Sequence, residues 1–464
     1  IYTGCLAEAA YYIESKGEAV VIDPLRESDP YLERLKRDDA KLKYVLETHF
    51  HADFVSGHLD LAKKTGATIV YGPTAAPNFK AYTATDEEIL TVGDVQIKVL
   101  HTPGHTMEST TYLLIDADGK DYAIFTGDTL FLGDVGRPDL AVKSDLSRED
   151  LAGLLFDSLR NKIMPLADEV IVYPGHGAGS ACGKKMSCET TGLLGEQKKS
   201  NYALRTDMTR AEFVKEVTDG LVEPPQYFPK NAVMNKMGYE SIDDIRQRGL
   251  QALSVRAFKA AWAEEEALVL DTRQKTVFTK GFLPGSIFIG IDGSFAMWVG
   301  ALIVDLKQPI LFIVDPGREN EVVTRLARVG YDNAIGYLEG GFEAWVAAEE
   351  EVDQIPDITA DQLVQLMKTK NINLLDARKE SEYNTQHILG AENFPLDFIN
   401  RNISQLNPNE TYYLYCASGY RSVIMSSILK SRGFDKVINV LGGFKALVET
   451  DLPTSQFEEQ ITEL

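Results

Sequence analysis

The C-terminal half of the chain repeats itself. "LVLDTR" at 268–273 recurs as "LLDAR" at 374–378, and "FLPGS" at 282–286 recurs as "ILGAE" at 388–392. "LEGGFEAW" at 338–345 recurs as "VLGGFKAL" at 440–447. Asp271 and Asp376 are 105 residues apart, Gly285 and Gly390 are 105 apart, and Gly340 and Gly442 are 102 apart. A fixed period of this size requires two copies of one structural unit. Each copy alternates β-rich runs ("PILFIV", "TYYLY") with helical ones ("VIMSSILKSRG"). That alternation predicts βα units around a parallel sheet. The acidic, proline-containing stretch "EEVDQIPDIT" at 350–359 separates the copies.

The remainder, up to about residue 245, has a different texture of short strands joined by histidine-bearing loops. Its last part, "LVEPPQYFPKNAVMNKMGYE", is proline-rich and predicts a covering segment rather than a free linker. A chain of 464 residues is too long for one core, so the expected layout is three domains: 1–245, 246–353 and 354–464. The net charge of −22 argues against nucleic acid and anionic membrane as partners, since both need basic patches. No apolar run approaches the length that spans a bilayer. The opening "IYTGCLAEAAYYIES" reads as a strand rather than a targeting leader, and without an initial Met it leaves a short preceding piece open. Four scattered cysteines (Cys5, Cys182, Cys188, Cys416) fit a reducing compartment, so a cytoplasmic location is expected. The sequence leaves the oligomeric state open, a homo-oligomer included.

Five of the seven histidines fall in short motifs: "THFHAD" (48–53), "HTPGHT" (101–106) and "YPGHG" (173–177). With "TGDTL" (126–130), each of these follows an apolar strand, where loops display ligands on a rigid scaffold. Together the four loops resemble the metallo-β-lactamase superfamily over most of residues 1–240, which implies an αββα sandwich. A two-zinc hydrolase of that superfamily, such as glyoxalase II, reads H-x-H-x-D-H at the first loop. Here the sixth place is Phe54, which binds no metal. Asp53 and His176 remain of the second site, and two ligands plus a shared carboxylate make a poor zinc site.

The first site admits two readings. As a zinc site it would use His49, His51, His105 and Asp128. As an iron site it would use His49, His105 and Asp128, the two-imidazole, one-carboxylate set of non-haem Fe(II) oxygenases. Spacing does not choose between them. The stretches "THFHADFVSGH", "HTPGHTMEST", "TGDTLFLGDVGRPDL" and "YPGHGAGSACGK" resemble the persulfide dioxygenase branch. That resemblance implies one Fe(II) per chain on His49, His105 and Asp128, with zinc an ion that a purified sample can also carry. It implies O2 and a low-molecular-weight thiol persulfide as substrates, and sulfite plus thiol as products. His51, Asp53 and His176 become orienting or hydrogen-bonding groups around the metal. Arg137 matches an arginine near the site in that branch, with a salt bridge as its ordinary reading.

"LLDARKESEYNTQHILGAENFP" (374–395), "LYCASGYRS" (414–422) and "LGGFKAL" (441–447) resemble a rhodanese domain. A strand ends at Cys416, a tight loop follows, and a helix is expected from about Ser422. Backbone N–H groups of such a loop form an anion nest, and the helix start favours the thiolate. Cys416 would carry sulfane sulfur. Arg421 would bind an anion such as thiosulfate or sulfite, with Ser418, Gly419, Tyr420 and Ser422 lining the loop. Asp376, Arg378 and Glu382 are expected to be structural. The middle copy reads "IVDPGREN" (313–320), with Asp315 expected at the cysteine's place and no cysteine between 189 and 415. It is expected to be a degenerate rhodanese. The pair Cys182 and Cys188, C-x5-C without nearby histidines, reads as buried small residues or as thiols near the iron. The alternative function is a zinc thioester hydrolase of the glyoxalase II type carrying a rhodanese.

Overall fold

The computed structural model describes residues 1–140, 146–184 and 186–456. They form two compact units, Ile1–Asp244 with Thr324–Tyr331, and Ile245–Val323 with Asp332 onward.

The first unit is built on two sheets. Five strands run in the order Tyr11–Ser15, Glu18–Ile22, Lys41–Glu47, Thr68–Tyr71 and Tyr82–Thr83; the first pair is antiparallel and the rest are parallel. Six strands form the other, in the order Gly192–Leu193, Ile171–Pro174, Asp121–Gly127, Thr110–Ile115, Val95–His101 and Ile89–Val92. The run "AVVI" at 19–22 explains the layering. Val20 and Ile22 point inward and pack with Leu46, Val70, Ile97, Val99, Tyr112 and Phe125 between the sheets. Ala19 and Val21 point outward, under Tyr31 and Leu35 of the helix Asp29–Arg37 and Leu61 of the helix His58–Thr65. A strand covered on both faces reads as continuous apolar sequence rather than alternating. The second sheet's outer face is covered likewise, by Leu155 of the helix Arg148–Ser158 and Phe213 and Val217 of the helix Arg210–Thr218. The result is the expected αββα sandwich. Its histidine loops all leave strand ends.

The second unit contains the repeat. Two all-parallel five-stranded sheets have matching orders: Ala252–Leu253, Ala334–Leu338, Ile310–Ile313, Leu268–Asp271, Ile287–Phe288, and Asp357–Ile358, Val437–Val440, Tyr412–Tyr415, Asn373–Asp376, Ala391–Asn393. The repeated Asp-x-Arg does the same work in both. Arg273 forks onto Asp271 and donates to Gly281 O, and Arg378 forks onto Asp376 and donates to Gln386 O. All four residues are buried, where one partner alone would be an uncompensated charge.

Strand register corrects one expectation. Asp271 pairs with Ile313, and Asp376 pairs with Tyr415. The residue that follows the strand at the cysteine's place is therefore Val314, not Asp315. The helix after Cys416 begins at Tyr420, two residues before the expected start, because Gly419 caps it with φ of 95°. Among the described residues no helix is long and apolar enough to cross a membrane.

Candidate metal centre and sulfur-carrier loop

His49, His105 and Asp128 come together from three strand ends. One ligand atom of each lies within 4.8 Å of the others, and all three side chains are buried. His49 Nε2 is 4.0 Å and His105 Nε2 3.5 Å from Asp128 Oδ2. Gly127 precedes the aspartate with φ of 48°, and a Cβ there would meet Thr48 Oγ1 at 2.5 Å, so glycine lets these two loops close on each other.

Neighbouring groups fix which imidazole nitrogen faces the centre. Thr48 donates its hydroxyl to Asp23 Oδ2 at 2.7 Å, which leaves the oxygen to accept from His49 Nδ1 at 2.9 Å. His105 Nδ1 sits 2.8 Å from Arg137 O, a carbonyl that only accepts. Both rings therefore carry the proton on Nδ1 and present a bare Nε2. Burial, then the neighbouring imidazoles His51, His105 and His176, hold His49 well below the usual histidine range, so it is neutral. His49 Nε2 and both Asp128 oxygens are buried without a hydrogen-bond partner. Buried polar atoms are almost always paired, so a convergent unpaired set of this donor type fits a metal ion.

His51, Asp53 and His176 form a second buried group beside the first. His176 Nε2 is 3.4 Å from Asp53 Oδ2 and 3.5 Å from Asp128 Oδ1. The sequence counted two ligands here, and the structure adds His51 within reach. His51 also faces Asp23 at 3.1 Å and Glu47 at 3.6 Å. Burial works against its charge, but Asp23 and then Glu47 outweigh that and push it up to about 10. Phe54 is fully buried with its ring 4.4 Å from the His51 ring.

Several expected residues take other places. The Arg137 guanidinium is bound by both Asp139 oxygens and by the carbonyls of Ala181 and Val222, and it is the Arg137 carbonyl that steadies His105. The two cysteines of the C-x5-C pair separate. Cys188 is exposed, whereas Cys182 is buried with its sulfur grouped with Asp128 and His176. Burial, then Asp53 and Asp128, push the Cys182 thiol well up. Sequence reading missed Asn235. Its amide nitrogen donates to His51 O and Phe54 O, and its oxygen accepts from Ser56 N, so it laces the histidine loop to the helix Phe228–Met237. An asparagine about 180 positions away from that loop carries no sequence signal.

In the last copy, Cys416 ends its strand buried, and Gly419 N donates to Cys416 Sγ at 3.1 Å. One backbone N–H of the loop thus points at the sulfur, in the direction an anion nest requires. Phe444 N, from the repeated Gly-Gly-Phe motif, holds Cys416 O at 2.6 Å. Arg421 is paired by both Glu382 oxygens, so Glu382 serves the arginine of the loop. Ser418 is exposed at the loop tip. Tyr420 reaches into the middle copy, where its hydroxyl donates to Gly290 O at 2.7 Å. Ser422 faces the core instead, donating to Asn439 Oδ1 at 2.8 Å.

The metallo-beta-lactamase superfamily model matches residues 3–176, and the rhodanese-like domain model matches twice, at 254–348 and 359–450. A metallo-beta-lactamase structure from Staphylococcus aureus subsp. aureus COL is 30% identical, covering 73% of this chain and 97% of its own, with a TM-score of 0.63. A probable hydroxyacylglutathione hydrolase, glo2 of Schizosaccharomyces pombe, is 35% identical over 34% of this chain and 57% of its own length. A putative sulfur carrier protein of Bacillus subtilis, YrkF, is 34% identical over 21% of this chain and 54% of its own. The chain spans between 51% and 66% of the length of the first curated relatives it matches. The chain belongs to the metallo-beta-lactamase superfamily and carries two rhodanese-like domains behind its metallo-beta-lactamase domain.

Proposed function

We propose that the first domain is a non-haem Fe(II) persulfide dioxygenase with one iron per chain, and that the last domain is a rhodanese sulfurtransferase. The observation that carries this reading is the donor set. Two bare imidazole nitrogens and one carboxylate converge, while Phe54 fills the place of a ligand that two-metal hydrolases need. Bound there, Fe(II) would supply open positions at which O2 and a soft persulfide sulfur meet. The net reaction is R-S-SH + O2 + H2O to R-SH + sulfite + 2H+. Thr48 and the Arg137 carbonyl hold the two imidazoles in the ligating tautomer. His176 and Asp53 line the Asp128 Oδ1 side, and His51 is drawn to the Asp23–Glu47 pair behind the centre.

In the last domain the Cys416 thiolate attacks the terminal sulfur of thiosulfate. A new S–S bond forms, the old one breaks, and its electron pair leaves with sulfite. Run the other way, sulfite from the first domain takes the sulfane sulfur of Cys416 and departs as thiosulfate, which would make the chain a route for sulfide detoxification. The carrier thiol would be a small one, such as glutathione or coenzyme A. We place the protein in the cytoplasm, where a sulfur-carrying cysteine stays reduced.

A second reading has its own support. His51, Asp53 and His176 lie together beside the first group, and the curated relatives include hydroxyacylglutathione hydrolases. A zinc thioester hydrolase would follow if both groups were filled. Metal analysis after anaerobic purification separates the two: about one iron per chain is expected, and two tightly held zinc ions per chain would overturn the iron reading.

A further inference from the structure

The middle copy has no cysteine, yet it reaches the sulfur loop of its sister. Lys275 opens the short helix Lys275–Phe278, just past the Asp271–Arg273 pair. Its ammonium donates to Ser418 O at 2.7 Å, and a Cβ built on Gly419 would lie 3.5 Å from Lys275 Nζ. Gly419 is the residue whose N–H holds the Cys416 sulfur. The position is enforced from both sides. Gly293 has no Cβ where one would meet Tyr420 Cζ at 2.3 Å, which lets Tyr420 reach Gly290 O. Phe288 N donates to Ser427 Oγ at 2.9 Å, fixing the helix behind the loop.

Charge decides what this contact does. Arg421 is compensated by both oxygens of Glu382. Lys275 is half-buried, and among the described residues it has a backbone carbonyl but no carboxylate partner. The uncompensated cation at the mouth of the Cys416 loop is therefore supplied by the copy that cannot do the chemistry.

We propose that Lys275 is a substrate-positioning cation that selects anionic sulfur donors and acceptors for Cys416, holding the oxoanion end of thiosulfate or sulfite. This rests on Cys416 as the sulfur carrier, so the test reads charge selection separately from sulfur transfer. Iodoacetate and iodoacetamide both alkylate the Cys416 thiolate, an S–C bond forming as the C–I bond breaks and iodide leaves, and they differ by one negative charge. Their rates at Cys416, followed by peptide mass spectrometry in the full chain, give a ratio that a change of loop shape alone leaves untouched. A unit charge pair at about 4 Å in water corresponds to roughly a fivefold change. Lys275→Gln should lower the iodoacetate-to-iodoacetamide ratio by about that factor with the iodoacetamide rate unchanged, and Lys275→Arg should restore it. In sulfur transfer to cyanide, Lys275→Gln should raise KM for thiosulfate and leave kcat near its original value. An unchanged ratio, or an equal fall in both alkylation rates, would overturn the role of Lys275. A shifted ratio in a protein that transfers no sulfur would instead overturn Cys416 as the carrier and leave the anion site standing.

Discussion

Asp128 is the residue on which the proposed metal centre would depend most. It is the only anionic member of the His49–His105–Asp128 set, and both its oxygens are buried and unpaired. Asp128→Asn keeps the shape and removes the charge, so bound iron and O2 consumption should both collapse, as read by metal analysis and an O2 electrode. Phe54→His tests the same site from the other side. It should leave O2 consumption largely intact, and a large gain of thioester hydrolysis would mark the chain as a hydrolase relic. The residues of the candidate centre were legible because their types are rare and their loops are short. Side-chain direction was not: Ser422 follows Arg421 in sequence, yet it faces Asn439 in the core. Arg137 lies in the expected loop, but Asp139 draws its guanidinium away and leaves only its carbonyl to the site. Such outcomes depend on which partners the fold brings up, near in sequence for Asp139 and distant for Val222 and Asn439.

At the scale of elements, the strand ends and the repeat were legible from apolar runs and the spacing of Asp-x-Arg and Gly-Gly-Phe. The place of the cysteine in the middle copy was not, because the offset between copies falls from 105 at Asp271 to 102 at Ile313, before that loop is reached. Only the pairing of Asp271 with Ile313 puts Val314 there. The helix Phe228–Met237 was legible as a cover but not as a support. Asn235 makes three buried hydrogen bonds to the loop that carries His49 and His51. Asn235→Ala would strand two carbonyls and one N–H, at about 1–3 kcal/mol for each group left unpaired. Denaturant unfolding of the metal-free protein should show that loss, with weaker metal retention beside it. Unchanged stability would mean that the loop holds itself.

In the whole molecule as proposed, oxidation belongs to one domain and sulfur carriage to another. Cys416→Ser replaces a polarisable, ionisable sulfur with a hydroxyl that stays protonated near neutral pH. The variant should still consume O2 with a small-molecule persulfide but release sulfite in place of thiosulfate. If it made thiosulfate at the original rate with direct chemical formation excluded, sulfur would have to travel through Cys5, Cys182 or Cys188. One experiment asks whether the first domain oxidises rather than hydrolyses. Anaerobically purified, iron-loaded protein is given a thiol persulfide and, separately, a glutathione thioester, with O2 uptake and thioester cleavage followed in parallel. About one O2 should be consumed per persulfide, with sulfite or thiosulfate formed and little thioester cleavage. Rapid thioester cleavage without O2 uptake on the persulfide would contradict the proposed oxidation.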